Sequence, residues 1–316
     1  MLPQKRGNRP TMSTTSNAPR LRWDWGTGYD LFASLFAIYH PTQFGIRPAW
    51  AAGVRSRIPN PEREVFAASL PFMGVPVRWI LDREPPKDAR AVLTRVGALS
   101  ADRVLPELAL NPHTHEESDA LLARISKMGT WTEEERARVA DCHRKRTDER
   151  VDEGLLDQWL SCWTDPSEFG RRFAAGLSAY YENFFREEEG RIAESLAESV
   201  EHGKTLSQTL AVSDLLEELT QGLDVESFLS CAEVILIPSY WTTPLILYGE
   251  YSSDVMMIVY GARPKDASLV PGDVVPDSLS RALSALADNT RLRILKLLHQ
   301  SPRTQIEIAR ALRLRA

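Results

Sequence analysis

Cysteine is scarce in this chain. Its 316 residues hold three, Cys142, Cys162 and Cys231. They are scattered and odd in number, which argues against a disulfide framework and suits a reducing compartment. Long apolar runs are also missing. No stretch reaches the roughly 18 apolar residues that a membrane-crossing helix needs. The start, from Met1 to Ser16, carries basic residues without an apolar core segment, so it does not read as a secretory signal. It reads as a disordered tail over residues 1–22, with Met12 as an alternative start. The expected location is the cytoplasm.

Catalytic wording is missing as well. There is no Gly-x-Ser-x-Gly elbow, no glycine-rich phosphate loop, no His-Glu-x-x-His and no paired-cysteine motif. Ser239, in Pro238-Ser-Tyr240, has no base or oxyanion hole that the sequence identifies. His113-Thr-His115-Glu-Glu117 and Cys142-His143 offer ligand atoms, but zinc needs four converging ligands and no set with typical spacing can be named. The expectation is a protein that is not an enzyme and holds neither metal nor cofactor.

What is present is a globular composition, 43% hydrophobic, with room for about two domains. Trp23 to Pro41 contains a helix over about 28–39 whose apolar residues Leu31, Phe32, Leu35, Phe36 and Ile38 cover most of its surface, so it should be buried. Further helices are predicted at 60–70, 87–105, 116–128, 132–149, 151–163, 166–202 and 206–220. The acidic runs Glu133–Glu135 and Glu187–Glu189 read as solvated helix faces. Trp159 and Trp163 lie at i,i+4, and Phe169, Phe173, Tyr180 and Phe184 follow on the next helix. Trp159, Trp163, Phe173 and Tyr180 are therefore the candidate lining of a pocket for a small apolar effector, the alternative being that they fill the core.

After Val225 the pattern changes. Val234-Ile-Leu-Ile-Pro238 is a short apolar run, and residues 245–260 read as a hairpin turning at Ser252-Ser-Asp254. The predicted fold class is mainly α with a small antiparallel β element, that is α+β. A helical sensing or dimerisation domain spans 23–225, the β-hairpin element packs on it over 226–262, a Pro/Gly/Asp-rich linker covers 263–278, and a basic module covers 279–316.

That module carries eight Arg or Lys against two acids, a net of +6, on a chain of net −5, which leaves −11 on the preceding residues. Asp288 and Asn289 cap a helix start, Ser301-Pro302 ends that helix, and Thr304-Gln-Ile-Glu307 has the capping-box form that opens a third helix. A basic attachment on an acidic body is the electrostatic footprint of nucleic-acid binding; the plainer alternative is a basic helix pair docked on an acidic domain.

Ala285-Leu-Ala-Asp-Asn-Thr-Arg-Leu-Arg-Ile-Leu-Lys-Leu-Leu298, followed by Thr304-Gln-Ile-Glu-Ile-Ala-Arg-Ala-Leu312, closely resembles the opening of the ArsR-type winged-helix domain of bacterial repressors. In that family the stretch leads into a turn, a recognition helix and a two-stranded wing. Here Leu312-Arg-Leu-Arg-Ala316 stands where the family has Leu-Gly-Leu-Ser, so the resemblance implies a C-terminally truncated helix-turn-helix, with recognition helix and wing absent. The second helix of the module, Thr290 to His299, has no cysteine where metal-sensing members carry Cys-x-Cys. Trp23 to Leu35, Phe184 to Ile192, and Ile235 to Ser239 with the hairpin ending at Gly261 are similar, more loosely, to family members with a long helical N-terminal domain.

The resemblance implies a DNA-binding transcriptional regulator of repressor type, acting as a homodimer on double-stranded DNA, with Leu279 to Leu286 at the dimer interface. Phosphate contacts would come from Arg303, Thr304 and Gln305 at the start of the third helix, and from Arg313 and Arg315. Without a recognition helix, binding should be weak, nonspecific and salt-sensitive. The rival reading is a non-DNA-binding interaction protein, such as a truncated dimer partner of an intact regulator.

Overall fold

The computed structural model describes residues 18–110, 116–147, 151–221, 226, 228–264 and 267–270, together with Ile294, Leu298 and Thr304. The chain divides into two compact units, Met1–Lys265 and Asp266–Ala316.

The first unit opens with strand β1 (Arg20–Trp23) and a long run of helices: α1 (Thr27–Tyr39), α2 (Pro48–Arg55), α3 (Asn60–Met73), α4 (Val77–Leu81), α5 (Ala89–Ala98), α6 (Ala101–Ala109), α7 (Glu116–Met128), α8 (Glu133–Thr147), α9 (Glu153–Thr164) and α10 (Pro166–Tyr180). A π-helical segment, Tyr181–Phe185, joins α10 to α11 (Arg186–Leu206), and α12 (Val212–Thr220) follows. Three strands close the unit: β2 (Glu233–Ser239), β3 (Leu247–Ser252) and β4 (Val255–Gly261). The protein is mainly helical with a small mixed sheet.

Local sequence accounts for many of the boundaries. Asp88, Asp152 and Asp165 accept from the N–H of Ala91, Leu155 and Glu168 at 2.8–2.9 Å, capping α5, α9 and α10. Thr132 and Glu135 form a reciprocal capping box at the start of α8. The helix predicted over 87–105 is in fact two. Leu99 and Ser100 are extended, and the break lets α6 start directly against α10, where a Cβ on Gly170 would sit 1.9 Å from the Ala101 carbonyl oxygen. The helix predicted over 166–202 is interrupted by the π segment, and α2 and α4 were not predicted at all.

The sheet has the order β1-β2-β4-β3. The hairpin is there, with β3 antiparallel to β4 and Tyr248 opposite Ile258. The rest of the sheet differs from the antiparallel expectation. β1 pairs parallel to β2, Arg20 with Glu233 through Trp23 with Leu236, and β2 pairs parallel to β4, Glu233 with Val255 through Ser239 with Gly261. Every residue of β2 is buried, as suits an uninterrupted apolar strand between two neighbours. The predicted tail, 1–22, therefore ends too late, since Arg20–Trp23 is an ordered edge strand. The helical run is not a domain that precedes a β element; it is the crossover connection between β1 and β2.

One sheet face packs on α12: Leu215, Leu216 and Leu219 meet Val234, Leu236, Ile258 and Tyr260, with Phe228 beside them. Through the helical layer runs α1, whose residues Thr27 to Leu35 are all buried. It is apolar all round except for one charge, Asp30.

Candidate functional site

The four rings predicted to line a pocket are interior. Trp159, Trp163, Phe173 and Tyr180 are 0–3% exposed. Trp159 stacks on Phe72 at 5.4 Å and meets Trp163 edge-on at 5.6 Å; Phe173 meets Phe66 edge-on at 5.1 Å and stacks on Phe169 at 5.2 Å. The Tyr180 hydroxyl donates to Ser34 Oγ at 2.9 Å, and burial holds its pKa well above the ordinary phenol range. These rings fill volume.

An open cleft lies one layer away. It has a volume of about 790 Å³ and is lined by α3, α4, α6, β3 and β4, a size in the range of small-molecule sites. None of the four predicted rings lines it, but Phe72, which carries Trp159 on its back, does. Its apolar wall is Phe72, Val77, Trp79, Leu108, Met257 and Val259, and its charged groups are Arg78, Arg83, Arg103, Asp82 and Glu107. Arg103 pairs with Glu107 at 2.8 Å, and Arg83 lies over the Trp79 ring at 4.9 Å. Arg78 donates to the Tyr251 carbonyl at 2.5 Å and lies over the Tyr251 ring, while the Tyr251 hydroxyl donates to Asp82 at 2.6 Å. The indole N–H of Trp79 is buried with no partner. Such a site suits a mainly apolar small molecule with a polar end.

A second polar centre forms at the carboxyl ends of β2 and β4. Asp30 is fully buried; Ser239 Oγ donates to it at 2.7 Å, the Trp241 N–H at 2.8 Å and the Tyr240 N–H at 3.3 Å. Burial raises its pKa to about 6, and these three hydrogen bonds oppose the rise. Ser239 is thus bonded to a carboxylate, but both residues are 0% exposed. A nucleophile must reach substrate, so this pair ties α1 to the sheet and is no catalytic couple.

Next to it, Glu188 is 3% exposed and holds Arg191 through Nε at 3.2 Å and Nη2 at 2.6 Å. Arg191 Nη1 donates to the Tyr240 hydroxyl at 2.6 Å, with the guanidinium over the ring at 4.7 Å. Glu189 accepts from the Thr27 hydroxyl at 2.5 Å and from the Tyr181 hydroxyl at 3.0 Å. This corrects the reading of Glu187–Glu189 as a solvated face at Glu188 and Glu189; Glu187 is exposed. In the other acidic run, Glu135 is also buried and binds Thr132 and Arg124. Asp30 and Arg191 were not singled out by sequence, and Glu188 was read only as part of a solvated run. For Asp30 a signal existed: a lone acid on a helix that is apolar all round must find buried donors.

Arg303, Gln305, Arg313 and Arg315 lie outside the described residues, as do His113, His115 and the segment Leu279 to Leu286. Thr304 is described: it is exposed and outside any helix. Ile294 and Leu298 are helical. No metal-ligating cluster occurs among the described residues, and His143 packs on the Phe72 ring at 5.0 Å. No helix among the described residues is long and apolar enough to cross a membrane.

No protein-family model matches the chain, and neither a curated protein nor a solved structure matches it.

Proposed function

We propose that the protein is a cytoplasmic DNA-binding regulator in which residues 279–316 contact the phosphate backbone and the first unit receives an effector. The observation that carries this reading is the charge contrast: +6 on the last 38 residues against −11 on everything before them. Wording that resembles the ArsR-type winged helix points the same way, and so does the division of the chain at Lys265, which places the basic segment in a unit of its own. Phosphate binding needs just such a local excess of cations, whatever the sign of the whole chain. The cleft between α6 and β3 is the place we assign to the effector, in preference to the filled ring cluster around Trp163.

The test is fluorescence anisotropy of the full chain on a labelled DNA duplex over a range of salt. Binding should weaken linearly in log–log form, and replacing Arg303, Arg313 and Arg315 together by Ala should reduce the slope by about 3. Absence of binding at low salt, or a slope indifferent to those three residues, would overturn the proposal. The second reading, an interaction protein or dimer partner, is favoured by one observation: Leu298, a helical leucine of the basic unit, is 41% exposed. Light scattering that shows a concentration-dependent dimer, with no DNA binding, would select it.

A further inference from the structure

Three guanidinium groups and two carboxylates line the cleft, so among the described residues it carries one positive charge in excess. Both acids are engaged. Glu107 accepts from Arg103 at 2.8 Å, and Asp82 accepts from the Tyr251 hydroxyl at 2.6 Å. Arg78 has its bond to the Tyr251 carbonyl and its place over that ring, and it pairs with no carboxylate among the described residues. Arg83 is the best placed of the three to meet a ligand. Its Nε donates to the Trp79 carbonyl at 3.1 Å and its guanidinium lies over the Trp79 ring at 4.9 Å, so two contacts fix the group. The nearest carboxylate to it among the described residues is that of Glu107, 4.0 Å away and beyond hydrogen-bond reach. Both Nη groups of Arg83 therefore lack an acceptor among the described residues, and 34% of the side chain is open to solvent.

A second donor at the same place is unmet. The indole N–H of Trp79, the residue that Arg83 covers, is buried without a partner among the described residues. Buried groups of this kind are few in native proteins and each needs an explanation. The side-chain groups left over at this end of the cleft are thus donors. The rest of the wall is apolar, through Val77, Leu108, Met257 and Val259. Helices α3 and α6 also end here, and the last carbonyls of a helix favour a cation. Their partial charges are screened where solvent enters, whereas a guanidinium brings a full charge and a fork that a carboxylate fits.

We propose that the cleft binds an apolar monocarboxylic acid, with its carboxylate on the guanidinium of Arg83 and its aromatic or aliphatic body along the wall of Val77, Leu108, Met257 and Val259. The two Nη groups of Arg83 meet the two oxygens side by side, and the single negative charge matches the single positive one in excess. A phosphate or a dicarboxylate would bring a second negative charge toward Asp82 and Glu107. Because Nε and the ring of Trp79 hold Arg83 already, little side-chain freedom is lost when the acid arrives. This inference rests on the assignment of the cleft to the effector and names the effector's chemistry; it does not depend on DNA binding.

The test is titration calorimetry of the full chain at neutral pH with 2-naphthoate, its neutral amide 2-naphthamide and the cation 2-naphthylmethylammonium, and with decanoate as an acid of another shape. An acid should bind about tenfold tighter than the amide, and the cation should bind weakest. Arg83→Met keeps the stem over Trp79 and removes the fork, so the acid should fall to the affinity of the amide, whose own binding should stay within about twofold. Glu107→Gln removes the competing carboxylate and should tighten the acid about threefold, a gain that misfolding cannot produce. Ala109→Leu narrows the cleft and should weaken acid and amide alike, which places both in it. Equal binding of acid and amide, a preference for the cation, or an acid affinity indifferent to both Arg83→Met and Glu107→Gln overturns the carboxylate assignment and leaves the cleft as an effector site. Binding indifferent to Ala109→Leu, or no binding of any of the four compounds, overturns the assignment of the cleft as well.

Discussion

Two neighbouring regions of the first unit are built from rings, and only one of them is hollow. Around Trp163, rings of α3, α9 and α10 meet in pairs: Phe72 with Trp159 and Phe66 with Phe173 between helices, and Trp159 with Trp163 along α9. Around Trp79 the elements stop. α3 ends at Gly74, whose φ of 65° lies in the left-handed region, α4 has five residues, and β3 is the edge of the sheet. Side chains of uninterrupted helices interdigitate and leave no room. Where several elements end together, nothing covers the space between their last residues. This cleft therefore follows element ends, and the abundance of rings beside it marks the filled region.

The strongest way to break this contrast is to hollow out the filled region. Phe173→Ala should cost about 3–5 kcal/mol, because the ring is 0% exposed and its neighbours on α3 and α9 cannot close in. Urea unfolding followed by tryptophan fluorescence measures it. A cost under about 1 kcal/mol would mean that the ring cluster is loosely packed and that a pocket there is tenable after all.

Asp30 gives the next largest effect and concerns the polar end of the same interior. Its pKa is raised to about 6 from the usual 3.8, chiefly by burial. Between those values the folded chain binds more protons than the unfolded one, so this residue's contribution to stability falls as pH rises from about 4 to 6, by up to about 3 kcal/mol. Asp30→Asn has no proton to lose. Its stability relative to wild type should therefore climb over that window, and urea midpoints of both chains at pH 4, 5, 6 and 7 test this. A constant difference would mean that Asp30 keeps one charge state throughout.

How much of this was readable beforehand depended on the range of the interaction. The buried helix at 28–39, the hairpin turning near Asp254 and the helix starts near 151 and 166 are local, and each is written in a few adjacent residues. The parallel sheet is not local. Arg20 pairs with Glu233, and nothing in Arg20-Leu-Arg-Trp23 announces a partner more than two hundred residues away. Glu188 shows the same limit, since an acid between two others on a helix reads as solvated until the β2 turn brings Tyr240 over its partner Arg191. The candidate site was the least legible part, because a cleft is defined by where elements end in space. The rings at Trp159 and Phe173 were correctly placed on helix faces, and the open alternative of core filling describes where they lie.

The cleft itself can be set against the core with a matched pair of substitutions. Ala37, on α1, is 0% exposed, and Ala37→Leu should destabilise by about 1–3 kcal/mol through overpacking. Ala109, at the end of α6, lines the cleft and is half-buried. Ala109→Leu adds the same three carbons to open space, so its effect on stability should stay within about 0.5 kcal/mol. The two numbers, read from the same urea titration, measure how much of the cleft persists in solution. If both substitutions cost alike, the walls of α4, α6 and β4 close together when no ligand is present, and an effector would have to open the site before filling it. If Ala109→Leu is neutral, the cleft is open beforehand, and an apolar ligand enters it without first spending binding energy on parting its walls.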